Sequence, residues 1–297
     1  MIRSLPANAA TGDKKCLKRI ITAVVALALL IPALIFGGVW AAWALFAVVC
    51  AVSIYELLGC CGLKKEYLIS IPSIVGFPIL CCLPALIGYA FDYYGRDSLR
   101  TAFKISNLAL LLFPLAFVLF LIIAVLKHKN LDIEKLSMFA CVAIYVTAGF
   151  GSLSYLRVAF GKNSIWTLWF VFAVSWMTDT FAYFTGMAFG KKKLCPEISP
   201  KKTVAGAIGG TVFGTLAGVT VMWVFIGKPL FGLVALPLSI ISQFGDLAAS
   251  LIKRKFGVKD YGKLFPGHGG VLDRFDSVIA VAICTAIAAS VYSVFIK

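Results

Sequence analysis

Acids stand in the last third of this chain where apolar runs should exclude them. Asp246, Asp273 and Asp276 lie in or beside long apolar stretches, and Asp273 and Asp276 are one helical turn apart. Two close carboxylates repel, so they require a cation or a protonated partner. Lys253, Arg254, Lys255, Lys259, Lys263 and Arg274 surround them, and His268 sits among Gly267, Gly269 and Gly270. Carboxylates combined with phosphate oxygens are a usual seat for Mg²⁺. Acids ringed by bases therefore suit a metal–polyphosphate complex, and the glycines let backbone come close to a ligand.

Three further constellations lie nearby. Ser239, Ser242, Gln243, Asp246, Ser250 and Lys253 recur in steps of three and four, which places them on one helix face as the wall of a site. Ser199-Pro200-Lys201-Lys202-Thr203 precedes a helix predicted to start near Thr203. Free N–H groups at such a start suit a phosphate. The two lysines serve equally well as cytoplasmic topology charge. Gly206, Gly210, Gly214 and Gly218 then form a groove that admits a neighbouring helix, within the subunit or across a homodimer. Asp179, Tyr183, Gly186 and Gly190 also share a face. They read either as part of a polar pocket or as a buried Asp–Tyr hydrogen bond between helices. Glu56 is the intramembrane acid of the first half, and its place near the end of an apolar run favours a snorkelled or hydrogen-bonded structural role.

The elements that position these groups follow from composition. The chain has 297 residues, 61% apolar and only 14% charged, with mean hydropathy +0.96. That excludes disorder and an ordinary soluble domain, which could not hide so much apolar surface. An all-α, polytopic integral membrane protein is expected, with about nine transmembrane helices of roughly 20 residues each. The runs are Ile20–Phe36, Val39–Leu58, Leu68–Ala90, Ile105–Leu126, Leu136–Phe160, Ile165–Phe189, Val204–Ile226, Leu230–Ile252 and Val271–Ile296. The first, with its basic flank, fits a retained anchor better than a cleaved signal peptide, because no A-x-A-like site stands near Gly37. Residues 1–18 read as a flexible cytoplasmic tail, 19–165 as five N-terminal spans, and 166–297 as the catalytic membrane region with its cytoplasmic loops.

The net charge of +15 would suggest nucleic acid in a soluble protein. Here no nucleic-acid partner is expected. With the N-terminus in the cytoplasm, nine spans put 21 of the 28 basic residues on the cytoplasmic side. The nine cysteines contain no C-x-x-C pair, and most sit in apolar runs as small hydrophobes.

The run from Ser250 to Asp276 (S-L-I-K-R, K-D, G-H-G-G-V-L-D-R-F-D) resembles the signature of the phosphatidate cytidylyltransferases, or CDP-diacylglycerol synthases. Upstream, Asp179 with Ala182-Tyr183, Phe189-Gly190-Lys191, Ser199 to Thr203, and Gln243 with Gly245-Asp246-Leu247 match as well. The resemblance is strong from Asp179 to Asp276. Over the first five spans it rests on hydropathy. The chain departs from many members in carrying Ala205 and Ala249, so no extra carboxylate ligand is expected there.

The resemblance implies transfer of CMP from CTP to phosphatidic acid, giving CDP-diacylglycerol and pyrophosphate. It implies Mg²⁺, one ion or two, on Asp246 and Asp273, with Asp276 as a further ligand or as an anchor behind them. It implies phosphate binding by Lys201, Lys202, Lys253, Arg254, His268 and Arg274, extended by Ser199, Thr203, Lys259, Gly269 and Gly270. His268 fits a phosphate donor rather than a base. Asp246, Asp273, Lys202, His268 and Arg274 are the expected catalytic set. Membrane lipids surround the chain, and the site is expected at the cytoplasmic face of a bacterial inner membrane. Two other classes compete: a CTP-dependent polyprenol- or phytol-type lipid kinase, and an ion-coupled transporter. Charges gathered at one face, with no inverted repeat, argue against the transporter.

Overall fold

In a bilayer, backbone donors and acceptors need partners within their own segment, so long apolar runs fold as helices. The computed structural model describes residues 31–94, 132–159, 163–264 and 269–295, with Ala28, Ile122 and Val125 in isolation. The helices are α1 (Gly38–Cys60), α2 (Tyr67–Tyr94), α3 (Ile133–Leu156), α4 (Ser164–Phe189), α5 (Val204–Val221), the short α6 (Pro229–Gly232), α7 (Ala235–Lys255) and α8 (Leu272–Phe295). A wider π turn, Met222–Ile226, extends α5. The tail 1–18 and most of the expected spans Ile20–Phe36 and Ile105–Leu126 lie outside the described residues. The remaining expected spans coincide with α1 to α5, α7 and α8 to within a few residues.

Five segments among the described residues are long and apolar enough to cross a membrane: Gly38–Cys60, Ile133–Leu156, Val204–Ile226, Pro229–Lys255 and Leu272–Val291. Among the described residues one regular element is not helical. Strands β1 (Lys193–Cys195) and β2 (Ser199–Thr203) form an antiparallel hairpin, with Lys193 opposite Thr203. So short and polar a hairpin has no alternating pattern, and its sequence is indistinguishable from a loop.

The core is filled by Ile54 and Phe46 of α1, Phe139 and Phe150 of α3, Phe172 of α4 and Ile279 of α8, all fully buried. Phe275 stands between the two acids of α8 and packs against Phe150 at 5.4 Å and Phe172 at 6.5 Å between ring centroids. That wedge fixes the rotation of the acid-bearing turn.

The most extensive helix pairing joins α4 and α5. Gly206, Gly210, Gly214 and Gly218 are buried along it, against Ala182, Thr178, Val174 and Phe170 of α4. A Cβ on Gly210 would lie 2.7 Å from the Thr178 carbonyl oxygen. The glycine face therefore packs within the subunit, which settles the alternative left open by the sequence. Lys255 at the end of α7 pairs with Glu134 at the start of α3 at 2.6 Å. The ends of α4 and α7 and the starts of α3, α5 and α8 thus meet at one face.

Candidate active site

The hairpin delivers one lysine to the site. Thr203 caps α5: its hydroxyl oxygen accepts the Gly206 N–H at 3.1 Å, and the Val204 N–H reaches the Lys192 carbonyl at 3.0 Å. This satisfies donors that a helix start otherwise leaves free. Lys202, one residue earlier, reaches across to α7. Its Nζ lies 2.7 Å from Asp246 Oδ2 and 3.5 Å from the Gln243 carbonyl oxygen. Lys201 is exposed and Ser199 half-buried.

The polar stripe of α7 divides into two parts. Gln243 donates from Nε2 to Thr211 Oγ1 at 2.9 Å and to the Ala207 carbonyl at 3.2 Å, and Ser239 leans on the Thr211 carbonyl at 3.4 Å. This half ties α7 to α5. Asp246 and Lys253 form the site wall. They are seven residues apart, about 10 Å along the helix axis. Ser250 donates to Asp246 Oδ1 at 3.4 Å.

A second ion pair closes the loop between α7 and α8. Lys253 Nζ lies 2.7 Å from Asp273 Oδ1, and the two side chains are only 10% and 5% exposed. Asp273 Oδ2 accepts the N–H groups of Tyr261 at 2.8 Å and Gly270 at 2.9 Å. The Tyr261 hydroxyl donates to the Ala249 carbonyl at 3.1 Å, and burial holds its pKa well above the usual phenol range, so it stays a neutral donor. Gly269 has φ +84°, a left-handed conformation that favours glycine. Glu56 of α1 completes this junction. Its Oε1 accepts the Val271 N–H and its Oε2 the Leu272 N–H, each at 3.0 Å. Glu56 thus has the hydrogen-bonded structural role expected of it, with partners more than 200 residues downstream that local spacing does not reveal.

Deeper in, Asp179 Oδ2 accepts the Ser277 hydroxyl at 2.7 Å, and Asp276 Oδ1 accepts the Ser277 N–H at 2.8 Å. Asp179, Asp246 and Asp276 lie within Coulombic reach of one another and repel. The structure thus adds Asp179 to the carboxylate group, while Asp273 is held by Lys253 and two backbone donors. Among the described residues no three His, Cys, Asp or Glu side chains converge tightly enough to enclose a metal ion unaided. The donor set is nonetheless hard oxygen, and Mg²⁺ is commonly held by one or two carboxylates with substrate phosphates and water supplying the rest. The residues fit that mode. Ser175, Thr178 and Ser242 also keep buried hydroxyls without a hydrogen-bond partner.

Other expected residues stand as follows. Arg254 is exposed and donates from Nη1 to the Val258 carbonyl at 3.1 Å, closing the end of α7. Lys259 and Arg274 are exposed at the same face. Gly270 approaches the Glu56 carboxylate, and Gly269 approaches Asp273 and Asp260, so both glycines serve protein carboxylates. His268 lies outside the described residues. Tyr183 is 67% exposed and turns away from the polar interior. The interhelical partner of Asp179 is Ser277 of α8 rather than a tyrosine.

An apolar groove of about 330 Å³ runs between α5 and α7. Ala207, Thr211 and Val212 line one side, Ile240, Phe244 and Leu247 the other, and Gln243 stands beside it next to the Lys202–Asp246 pair.

Comparison with known proteins gives a consistent result. Residues 17–292 match the model of the cytidylyltransferase family. The chain is 34% identical over 239 residues to a phosphatidate cytidylyltransferase of Bacillus subtilis (strain 168), which covers 78% of this chain and 82% of that one. It is 35% identical over 269 residues to a phosphatidate cytidylyltransferase of Staphylococcus haemolyticus, covering 89% and 95%. To a phosphatidate cytidylyltransferase of Brucella abortus (strain 2308) it is 50% identical over 141 residues, 46% of this chain and 51% of that protein.

Proposed function

The chain belongs to the cytidylyltransferase family, and from that premise we infer its reaction: CTP and phosphatidate give CDP-diacylglycerol and pyrophosphate. It is an integral membrane enzyme. The observation that carries the assignment to this site is the pair of ion pairs, Lys202–Asp246 and Lys253–Asp273, at one face beside an apolar groove.

A phosphate oxygen of the lipid attacks the α-phosphorus of CTP, and pyrophosphate leaves. Both reactants are anions, so the protein must neutralise and align them more than remove a proton. A phosphate monoester is already ionised near neutral pH, and no strong base is needed. Lys202 and Lys253 hold the phosphates as they exchange their carboxylate partners for them. The exposed Lys201, Arg254, Lys259 and Arg274 supply further positive charge at the mouth. Asp246, Asp276 and, once Lys253 turns to phosphate, Asp273 would hold Mg²⁺, with Asp179 behind them. When bound, the ion would screen the triphosphate charge that develops on the leaving oxygens. The groove suits the acyl chains of phosphatidate, because it is apolar and ends next to the cationic pair.

Nine transmembrane helices, a cytoplasmic N-terminus and a site at the cytoplasmic face of a bacterial inner membrane are the arrangement we favour. The excess of lysine and arginine on that side supports it. A homodimer is compatible with this reading, though the glycine face of α5 is already used inside the subunit. The test is incubation of the purified chain with labelled CTP, phosphatidic acid and Mg²⁺. CDP-diacylglycerol and pyrophosphate are the expected products. Release of CDP with a phosphorylated lipid would replace this reading by a lipid kinase.

A further inference from the structure

One side chain of the N-terminal helices reaches the start of α8. Glu56 is 5% exposed, and its two oxygens take the N–H groups of Val271 and Leu272. Asp273 takes the N–H of Gly270 from the same turn and that of Tyr261 from the loop. Every N–H from 270 to 272 therefore ends on a carboxylate, and these donors are not open to a phosphate. The fit is close on both sides. A Cβ on Gly270 would come within 2.5 Å of a Glu56 oxygen and carbon, and a Cβ on Gly262 would meet the same carboxylate. Glu56 thus wedges between two points of the α7–α8 loop, Gly262 and Gly270, while holding the helix that carries Asp273 and Asp276.

We propose that Glu56 is a positioning residue of the reaction: it fixes the register of the α7–α8 loop against the first turn of α8, and so the placement of Asp273 and Asp276. It touches no substrate. Its effect passes through the backbone of residues 270–272. Removing it leaves two buried N–H groups without acceptors, a penalty equivalent to roughly tenfold or more in the population of the state in which residues 270–272 are held. Glutamine keeps one acceptor and turns an NH₂ toward the second N–H, so its effect falls between glutamate and alanine.

The proposal rests on the reaction above only for its kinetic arm. Glu56→Gln and Glu56→Ala are made in the full chain and studied in detergent micelles. Amide hydrogen exchange is read over residues 256–264 and 269–273 and, as a control, over α3. The expected result is faster exchange confined to those two segments, by about tenfold in Glu56→Ala and less in Glu56→Gln, with α3 unchanged. Alongside it, kcat for CDP-diacylglycerol falls in the same order while KM for CTP changes little. Unchanged exchange in the loop, or acceleration spread evenly over the chain, overturns the proposal, as does wild-type kcat in Glu56→Ala. If the wild-type chain makes no CDP-diacylglycerol, the reaction reading fails by itself, and the exchange arm still tests the positioning role.

Discussion

Lys202 and Asp246 meet at 2.7 Å across the junction of the hairpin and α7, with about a quarter of each side chain exposed. A partly exposed pair of this kind adds only about 1 kcal/mol to stability. In the proposed reaction its members matter far more to a triphosphate. Asp246→Asn should therefore lower CDP-diacylglycerol formation by roughly a hundredfold or more while thermal unfolding in detergent moves by only a few degrees. Lys202→Ala should mainly raise KM for one phosphate-bearing substrate. Near-native turnover in Asp246→Asn would remove this carboxylate from the reacting centre.

The Lys253–Asp273 pair makes the opposite prediction for stability. It is almost fully enclosed, and Asp273 also accepts two backbone N–H groups. Removing one member of a buried pair strands the other charge, at about 3–5 kcal/mol. Lys253→Met should unfold at markedly lower temperature than Lys202→Ala. The double variant Lys253→Met, Asp273→Asn should recover part of that loss, because no charge is left stranded. Equal unfolding temperatures for Lys253→Met and Lys202→Ala would refute the distinction.

What the sequence made legible, and what it did not, has a physical basis. Helices of the C-terminal half were legible because a bilayer demands apolar runs of fixed length, and α5 begins at the threonine expected to open it. The polar stripe of α7 was legible because steps of three and four survive any packing. The destination of each side chain was not. Asp273 and Asp276 are one turn apart, yet Asp273 faces Lys253 and the loop backbone, whereas Asp276 lies among Asp179 and Asp246. Tyr183 shares a helix with Asp179 but projects outward, since Phe275 and Ser277 of α8 claim the inner face. These outcomes depend on the rotation of one helix against another, which no local spacing encodes.

The glycine seam gives a prediction with an internal control. Gly210 faces the Thr178 carbonyl and Ala182 of α4, and even a methyl group there must push the helices apart. Gly76 of α2 has open space around its Cβ position. Gly210→Ala should destabilise by about 1–3 kcal/mol through overpacking. Gly76→Ala should be neutral or mildly stabilising, because alanine favours the helix. Thermal unfolding of the two variants under one detergent condition checks both. Comparable stability of Gly210→Ala and the unaltered chain would mean that α4 and α5 are not seamed by this face.

The groove between α5 and α7 predicts a separation between lipid and nucleotide kinetics. Val212 lines it, is half exposed and makes no polar contact with the ion pairs, so a larger side chain there fills the groove while leaving Lys202 and Asp246 in place. Each methylene removed from apolar contact costs about 0.8 kcal/mol, so excluding even two of them should raise KM about tenfold. Val212→Trp should therefore raise KM for a long-chain phosphatidate by about that factor, raise it less for a dioctanoyl substrate whose chains reach a shorter way along the groove, and leave KM for CTP unchanged. Equal effects on long and short chains would place the acyl groups elsewhere on the enzyme. A change in KM for CTP alone would make the groove part of the nucleotide site.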